Sequence, residues 1–288
     1  MPVIARPMTG NGQSQQAWYI YCVAEIAATE QFDAGAFPAA IEETAKLEWI
    51  TANDLAALAS AVPLEVYGEA ALSDHLTDAT WTAVRAMRHE TVVEYVAKRV
   101  SVVPLRFGTI YLDRSGIELM LAEKGRDLKD IIERLRGREE WGVNVYSDRA
   151  TLLASITEVS PRLRELARQA EAASPGQSYL MQKKIEALRV DEARVALNEI
   201  IEQIEKTLAA QAEDARRLRI LKVESAEHGE LKGKFAFLVK RSEFEEFRSA
   251  AERVAEENLS AGVRLELTGP WPAYNFTELS GCVLLLIR

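Results

Sequence analysis

Between residues 152 and 208 the apolar residues recur on a seven-residue period, and this pattern constrains the chain more than any other feature. Leu152, Ile156, Val159, Leu163, Leu166 and Ala170 are spaced 4, 3, 4, 3 and 4 apart, and Leu197, Ile201, Ile204 and Leu208 repeat 4, 3 and 4. Such spacing lines one side of a helix, and that side needs another element to cover it. Ser160-Pro161 has the form of a cap followed by a first-turn proline, so the first stretch can be interrupted there. Ala173-Ser-Pro-Gly176 breaks it, and a helical pattern resumes from Ser178 to about Leu218. Two seamed helices joined by a short Ser-Pro-Gly turn pack as an antiparallel hairpin.

The sequence before the hairpin reads as alternating strands and helices. Ala17 to Ile26 is dense in aromatic and β-branched residues, as a central strand is. Leu47–Ile50 and Leu55–Val62 flank Asn53-Asp54 and read as two strands joined by a turn. Ser73 or Asp78 can cap a helix reaching about Lys98, with Trp81, Val84, Met87, Val92 and Val96 at helical spacing. Ser101–Tyr111 reads as a strand whose Pro104 suits an edge or a bulge. A second helix is expected over Ser115–Leu135, stopped by Gly137, and Trp141–Tyr146 is taken as the last strand of this half. After the hairpin come strands near 220–225 and 233–239, a helix over Ser242–Asn258 and a strand over Gly262–Leu267. The expected class is α+β. Residues 1–16 form a flexible arm, 17–147 a ferredoxin-like domain, 148–276 a long helical hairpin with a small antiparallel sheet, and 277–288 an apolar tail.

Charge and composition exclude several functions. The net charge of -9 repels phosphate backbones, which argues against nucleic acid as a partner. The two cysteines, Cys22 and Cys282, cannot build a disulfide framework, which points to a reducing, cytoplasmic setting. The first sixteen residues lack the apolar core of a signal peptide, and the longest aliphatic run, Val283–Ile287, is too short to span a lipid membrane. None of the three histidines, His75, His89 and His228, stands in a nucleophile motif, and both cysteines lie in apolar runs where a thiolate is disfavoured. His89-Glu90 diverges by about 100° around a helix and cannot share one metal ion. No glycine-rich phosphate loop precedes a helix. No catalytic, cofactor-binding or metal-ligating residue is assigned.

Four short segments are unusual. Met87-Arg-His-Glu-Thr-Val-Val-Glu94 lies late in a helix, and Val102–Tyr111 carries a proline and a glycine inside one strand. Glu140-Trp-Gly-Val-Asn-Val145 places a glycine directly after its tryptophan. In Leu267–Phe276, Pro270 and Pro272 flank Trp271 and restrict the backbone on both sides of the indole. Arg106 interrupts an apolar strand and needs a partner or an exit to water, with Glu90 as the leading candidate partner.

Taken in order, Arg88-His-Glu90, Pro104–Thr109, Glu140-Trp-Gly-Val143, Gly176–Lys184 and Gly269-Pro-Trp-Pro-Ala-Tyr-Asn-Phe276 resemble the GvpF/GvpL family of gas vesicle proteins, over about residues 17–276. One departure is Ala273-Tyr-Asn, where that family more often has Pro-Tyr-Ser. The resemblance implies a gas vesicle location and an accessory role in assembly. It also implies binding of the small hydrophobic shell protein GvpA, limited aggregation of that protein, contacts with other accessory proteins, and no catalysis or cofactor. The interface candidates are Pro104, Arg106, Phe107 and Thr109, together with Trp271, Tyr274 and Phe276. Two other readings stand beside it. One is an RNA-binding module that stacks bases on Tyr19 and Tyr21; the other is a small-ligand sensor using a sheet crevice.

Overall fold

A computed structural model of the chain describes residues 16–33, 35–220, 225–226 and 229–278. They divide into two compact units: the first comprises the described residues up to Arg136 together with Thr277 and Glu278, and the second spans Gly137–Phe276. The expected arm, apart from Gln16, and the tail from residue 279 onward lie outside the described residues.

The first unit is built on β1 (Gln16–Glu25), and a short α1 (Ile26–Thr29) follows it. Tyr19 through Ala24 are all buried, as a strand covered on both faces requires. β2 (Leu47–Ala52) and β3 (Leu55–Pro63) form the expected hairpin. Its turn residue Asn53 takes the left-handed conformation, with φ of 53°. Two short helices, α2 (Leu64–Tyr67) and α3 (Glu69–His75), lead to α4 (Ala79–Ala97). Asp78 caps α4 by accepting from the backbone N–H groups of Thr80 and Trp81 at 2.9 and 3.1 Å. The following strand is two pieces, β4 (Val103–Pro104) and β5 (Ile110–Tyr111), both paired with β1. The expected single helix over 115–135 is also two, α5 (Arg114–Glu123) and α6 (Gly125–Leu135), separated at Lys124. α6 buries Leu128, Ile131, Ile132 and Leu135, each contributing roughly 1.5–3 kcal/mol by leaving water. The sheet runs β2-β3-β1-β4, with β5 beside β1 and every pairing antiparallel. This is the α+β, ferredoxin-like order the sequence suggests.

The second unit opens on β6 (Arg138–Ser147), and here the structure corrects the boundary expected at residue 147. Among the described residues β6 pairs with no strand of the first sheet; it is an interior strand of the second. Its alternation of buried and half-buried residues suits either sheet, so only the identity of its partners assigns it. The first arm of the hairpin is α7 (Arg149–Val159) and α8 (Pro161–Glu171), divided at Ser160 as Pro161 allows. Ser160 Oγ caps α8 and donates to Glu192 Oε2 of the facing helix at 2.8 Å. The second arm, α9 (Pro175–Ala209), is roughly 50 Å long. It ends earlier than expected, because residues 214–217 are drawn into a strand, β7 (Asp214–Arg217). β8 (Ser225–Ala226), β9 (Gly229–Lys240), α10 (Phe244–Leu259) and β10 (Val263–Trp271) complete the chain order. The sheet runs β10-β6-β9-β7, antiparallel throughout.

The heptad seam is shared between two cores. Leu152, Ile156 and Leu163 of α7 and α8 pack on Ala193 and Ala196 of α9. One stretch further along α9, Ile201, Ile204 and Leu208 turn instead onto Phe235, Phe237 and Val239 of β9 and Phe247 of α10. One long helix thus joins a helical arm to a sheet.

Candidate partner-binding surfaces

The four unusual segments meet in two places, one in each unit. In the first, β1 presents Tyr19 inward, and α4 brings His89 against it. The ring's Nδ1 lies 2.8 Å from the Tyr19 hydroxyl and its Nε2 lies 3.1 Å from the carbonyl oxygen of Leu105. A carbonyl only accepts, so Nε2 carries the proton and Nδ1 accepts from the Tyr19 O–H. The same phenolic oxygen accepts from the backbone N–H of Gly108 at 3.1 Å. Burial pushes the His89 pKa down to about 4, which keeps the ring neutral, although the Leu105 carbonyl favours the charged form. Burial likewise raises the Tyr19 phenol well above its usual value.

This chain of bonds lies directly beneath the turn between β4 and β5. Leu105 N–H donates to the Tyr21 carbonyl at 2.9 Å, Ile20 N–H donates to Thr109 O at 3.0 Å, and Thr109 closes the turn by donating to Arg106 O at 3.2 Å. Gly108 has φ of 85°, the value a type II turn requires at its third position. The turn is therefore pinned at both ends and in the middle. Beside it, Tyr67 and Arg85 both bond Glu42 Oε1, at 2.5 Å and 2.7 Å, while Tyr21 O–H bonds Ser60 and accepts from Ile41 N–H.

The four candidate residues here have different surroundings. Pro104 is buried in an edge strand. Because Leu105 and Tyr21 form a hydrogen-bonded pair, the nitrogen of Pro104 faces away from β1, and the outer edge lacks a donor there. Phe107 is half-buried, edge-on to Tyr19 and His89 with ring centroids 6.3 and 5.9 Å away. Thr109 is half-buried and spends its hydroxyl on Arg106 O. Arg106 is exposed, and no ion pair with Glu90 forms: the turn lifts residue 106 out of the sheet, so water solvates the guanidinium. The pairing expected from an apolar strand fails because the segment is not one strand.

The second meeting place joins β6 to the end of β10. Glu140 is buried, and its Oε1 and Oε2 accept from the side-chain amide and backbone N–H of Asn275 at 2.6 and 3.0 Å. A one-residue bulge after Thr268 carries Gly269 and the cis-linked Pro270, and restores register at Trp271 opposite Glu140. Gly142 is required beneath it, since a Cβ there would lie 2.6 Å from Thr268 Oγ1. The Trp271 indole N–H donates to that oxygen at 3.2 Å, while the residue stays 48% exposed. Tyr274 is half-buried. Phe276 is 1% exposed, with Arg216 over its ring, so it belongs to the core and does not offer the contact expected of it. The candidates thus form two groups in separate units, Arg106 with Phe107 and Trp271 with Tyr274.

Other chemistry finds little support among the described residues. Cys22 is buried, and burial raises its thiol pKa, disfavouring a thiolate. No group of three or more His, Cys, Asp or Glu is placed to hold a metal ion, and no helix is long and apolar enough to cross a membrane. The RNA reading needed Tyr19 and Tyr21 on an open face, and both are fully buried. A groove lined by Gln211, Glu245, Glu246, Ser249, Ala250 and Arg253 lies along α10 instead of in a sheet crevice.

Residues 17–278 match the family described as gas vesicle synthesis protein GvpL/GvpF. The chain belongs to the GvpL/GvpF family. It is 28% identical over 237 residues to gas vesicle protein L of a Streptomyces species, covering 79% of this chain and 82% of that protein. Gas vesicle protein F of the same organism is 26% identical over 195 residues, covering 67% and 76% of the two chains. The crystal structure of GvpF from Microcystis aeruginosa superposes with a TM-score of 0.60 at 18% identity, covering 91% of this chain and 99% of that one. GvpF from an Anabaena species superposes at 0.62 with 17% identity, covering 92% and 99%. These two solved structures establish the shared fold.

Within the GvpL/GvpF chain described here, the residues that sequence reasoning missed are the supports: Tyr19, Glu140 and Asn275. A buried glutamate cannot be told from a solvated one in a chain this acidic. Its position in a strand, two residues before an unexplained glycine, was the available signal.

Proposed function

We propose that this GvpL/GvpF chain binds the hydrophobic shell protein GvpA in the cytoplasm and limits its aggregation while gas vesicles form. It acts by contact alone, with no cofactor or nucleotide. Family membership supports the gas vesicle assembly role. The observation that carries the finer reading is Trp271. A tryptophan whose indole is held by Thr268, on a segment anchored by the Glu140–Asn275 clamp, yet which is 48% exposed as a residue, is an apolar contact whose ordering cost is already met. The turn carrying Arg106 and Phe107 is the second surface, offered as a rigid knob. Strand addition at that edge is disfavoured, because Pro104 leaves its outer side without a donor.

The experiment is co-purification with GvpA and light scattering of GvpA at stoichiometric ratio, comparing the natural chain with Trp271→Asp and Arg106→Glu. The natural chain is expected to suppress scattering, and at least one variant to lose binding while circular dichroism stays unchanged. Undiminished scattering with the natural chain, and no complex, would refute the proposal.

A further inference from the structure

We infer that the outer edge of β10 is a self-association surface, on which a second copy of this chain adds its own β10 antiparallel about a two-fold axis centred on Leu265. β10 pairs with β6 alone, and among the described residues no backbone group of 263–268 has a partner on the other side. The direction of those groups follows from one bond. Asp148 N–H donates to Gly262 O at 2.8 Å, which makes 148 and 262 a hydrogen-bonded pair. Alternation then turns Arg264, Glu266 and Thr268 toward β6, and turns the N–H and C=O groups of Val263, Leu265 and Leu267 outward.

The other edges are less able to accept a strand. β7 is four residues long and bears Asp214, Arg216 and Arg217. The β4–β5 edge is interrupted by a turn and by Pro104. β2 offers six residues, but its exposed Glu48 is paired with Arg114 and a copy of β2 would bring no cation against it. β10 is different because Val263-Arg-Leu-Glu-Leu267 is complementary to itself. With Leu265 opposite its counterpart, Val263 and Leu267 face each other across the axis, and Arg264 faces Glu266 twice.

Both kinds of pairing come out right in this register. The outward-facing residues 263, 265 and 267 become hydrogen-bonded pairs, giving about six main-chain bonds. Arg264 and Glu266 fall at non-hydrogen-bonded positions, where Cα atoms approach to about 4.5 Å and side chains are closest. Both are exposed. Arg264 makes no hydrogen bond or ion pair within its own chain among the described residues. Glu266 is already oriented, its Oε2 accepting from Asn144 and Tyr146 at 3.0 and 3.1 Å. A closed two-fold contact joins the second sheets of two copies into one continuous sheet and leaves no free β10 edge. One strand pair is small against a standard interface, so the association is weak and concentration-dependent.

The test is sedimentation of the full chain over about 10 to 500 µM, the range in which weak contacts dissociate. Mass is expected to rise from 32.1 kDa toward twice that value. Arg264→Glu places four carboxylates around the axis, and Glu266→Arg four cations; each alone is expected to weaken dimerisation at least tenfold. Mixing the two variants restores opposite charges at both positions and is expected to recover a dimer containing one chain of each, with circular dichroism confirming that both are folded. A chain that stays at 32.1 kDa throughout overturns the inference, as does dimerisation untouched by both reversals or not recovered on mixing.

Discussion

His89 should make the first unit sensitive to mild acid, in the range between the usual imidazole value and about 4. The residue is 2% exposed, its ring is engaged at both nitrogens, and its pKa in the fold is about 4 against 6.5 for a free imidazole. A depressed folded pKa means the contribution is fully present above about pH 6.5 and is lost as pH falls toward 4. In that interval the unfolded chain takes up a proton the folded chain refuses, at about 1.4 kcal/mol per pH unit. From pH 7 to pH 5 the loss is about 2 kcal/mol, and below pH 4 it reaches about 3 kcal/mol. The assay is urea denaturation at half-unit steps from pH 7.5 to about 4.5, comparing the natural chain with His89→Gln. Glutamine does not titrate, so subtracting its curve removes the share due to carboxylates. The difference in unfolding free energy should change by about 2 kcal/mol between pH 7 and 5, with the natural chain losing more. Parallel curves for the two proteins would show that His89 is not neutral and buried as argued, whatever the variant's absolute stability.

Three further outcomes follow from the packing. Ile201→Asp puts an unpaired carboxylate against Phe235 and is expected to cost on the order of 3 kcal/mol or more, seen as a lower melting temperature; an unchanged transition would mean the seam does not turn onto the sheet there. Glu140→Ala removes both acceptors of Asn275 and should cost about 2 kcal/mol and speed proteolysis after Trp271 or Tyr274; equal cleavage rates would count against the clamp. Gly142→Ala brings a Cβ to 2.6 Å from Thr268 Oγ1 and should cost about 1–3 kcal/mol. Adding Thr268→Ala should recover much of that loss in chemical denaturation, and additive losses would place the strain elsewhere.

What the sequence determined by itself was local or periodic. The apolar run of β1, the turn at Asn53, a helix start at Ser73 or Asp78, the break at Pro161 and the heptad positions are each specified by residues within a turn or two of one another, so they could be read without a fold. Pro104 likewise restricted its segment to an edge or a bulge, since a missing donor is a property of the residue itself, and the pairing of β4 with β1 made it an edge. Tertiary structure decided whatever depends on which partner covers a face. β6 suits either sheet by its pattern, and only its pairing with β9 and β10 assigns it to the second unit. Residues 214–217 follow a helical stretch but become a strand because β9 offers an unpaired edge. Arg106 looked like a cation buried in a strand, and the Gly108 turn placed it in water. His89 and Glu140 look like surface residues in sequence, one on a helix and one in an acidic pair. Each is buried because a residue far along the chain, Leu105 for one and Asn275 for the other, supplies the hydrogen bond that makes burial tolerable.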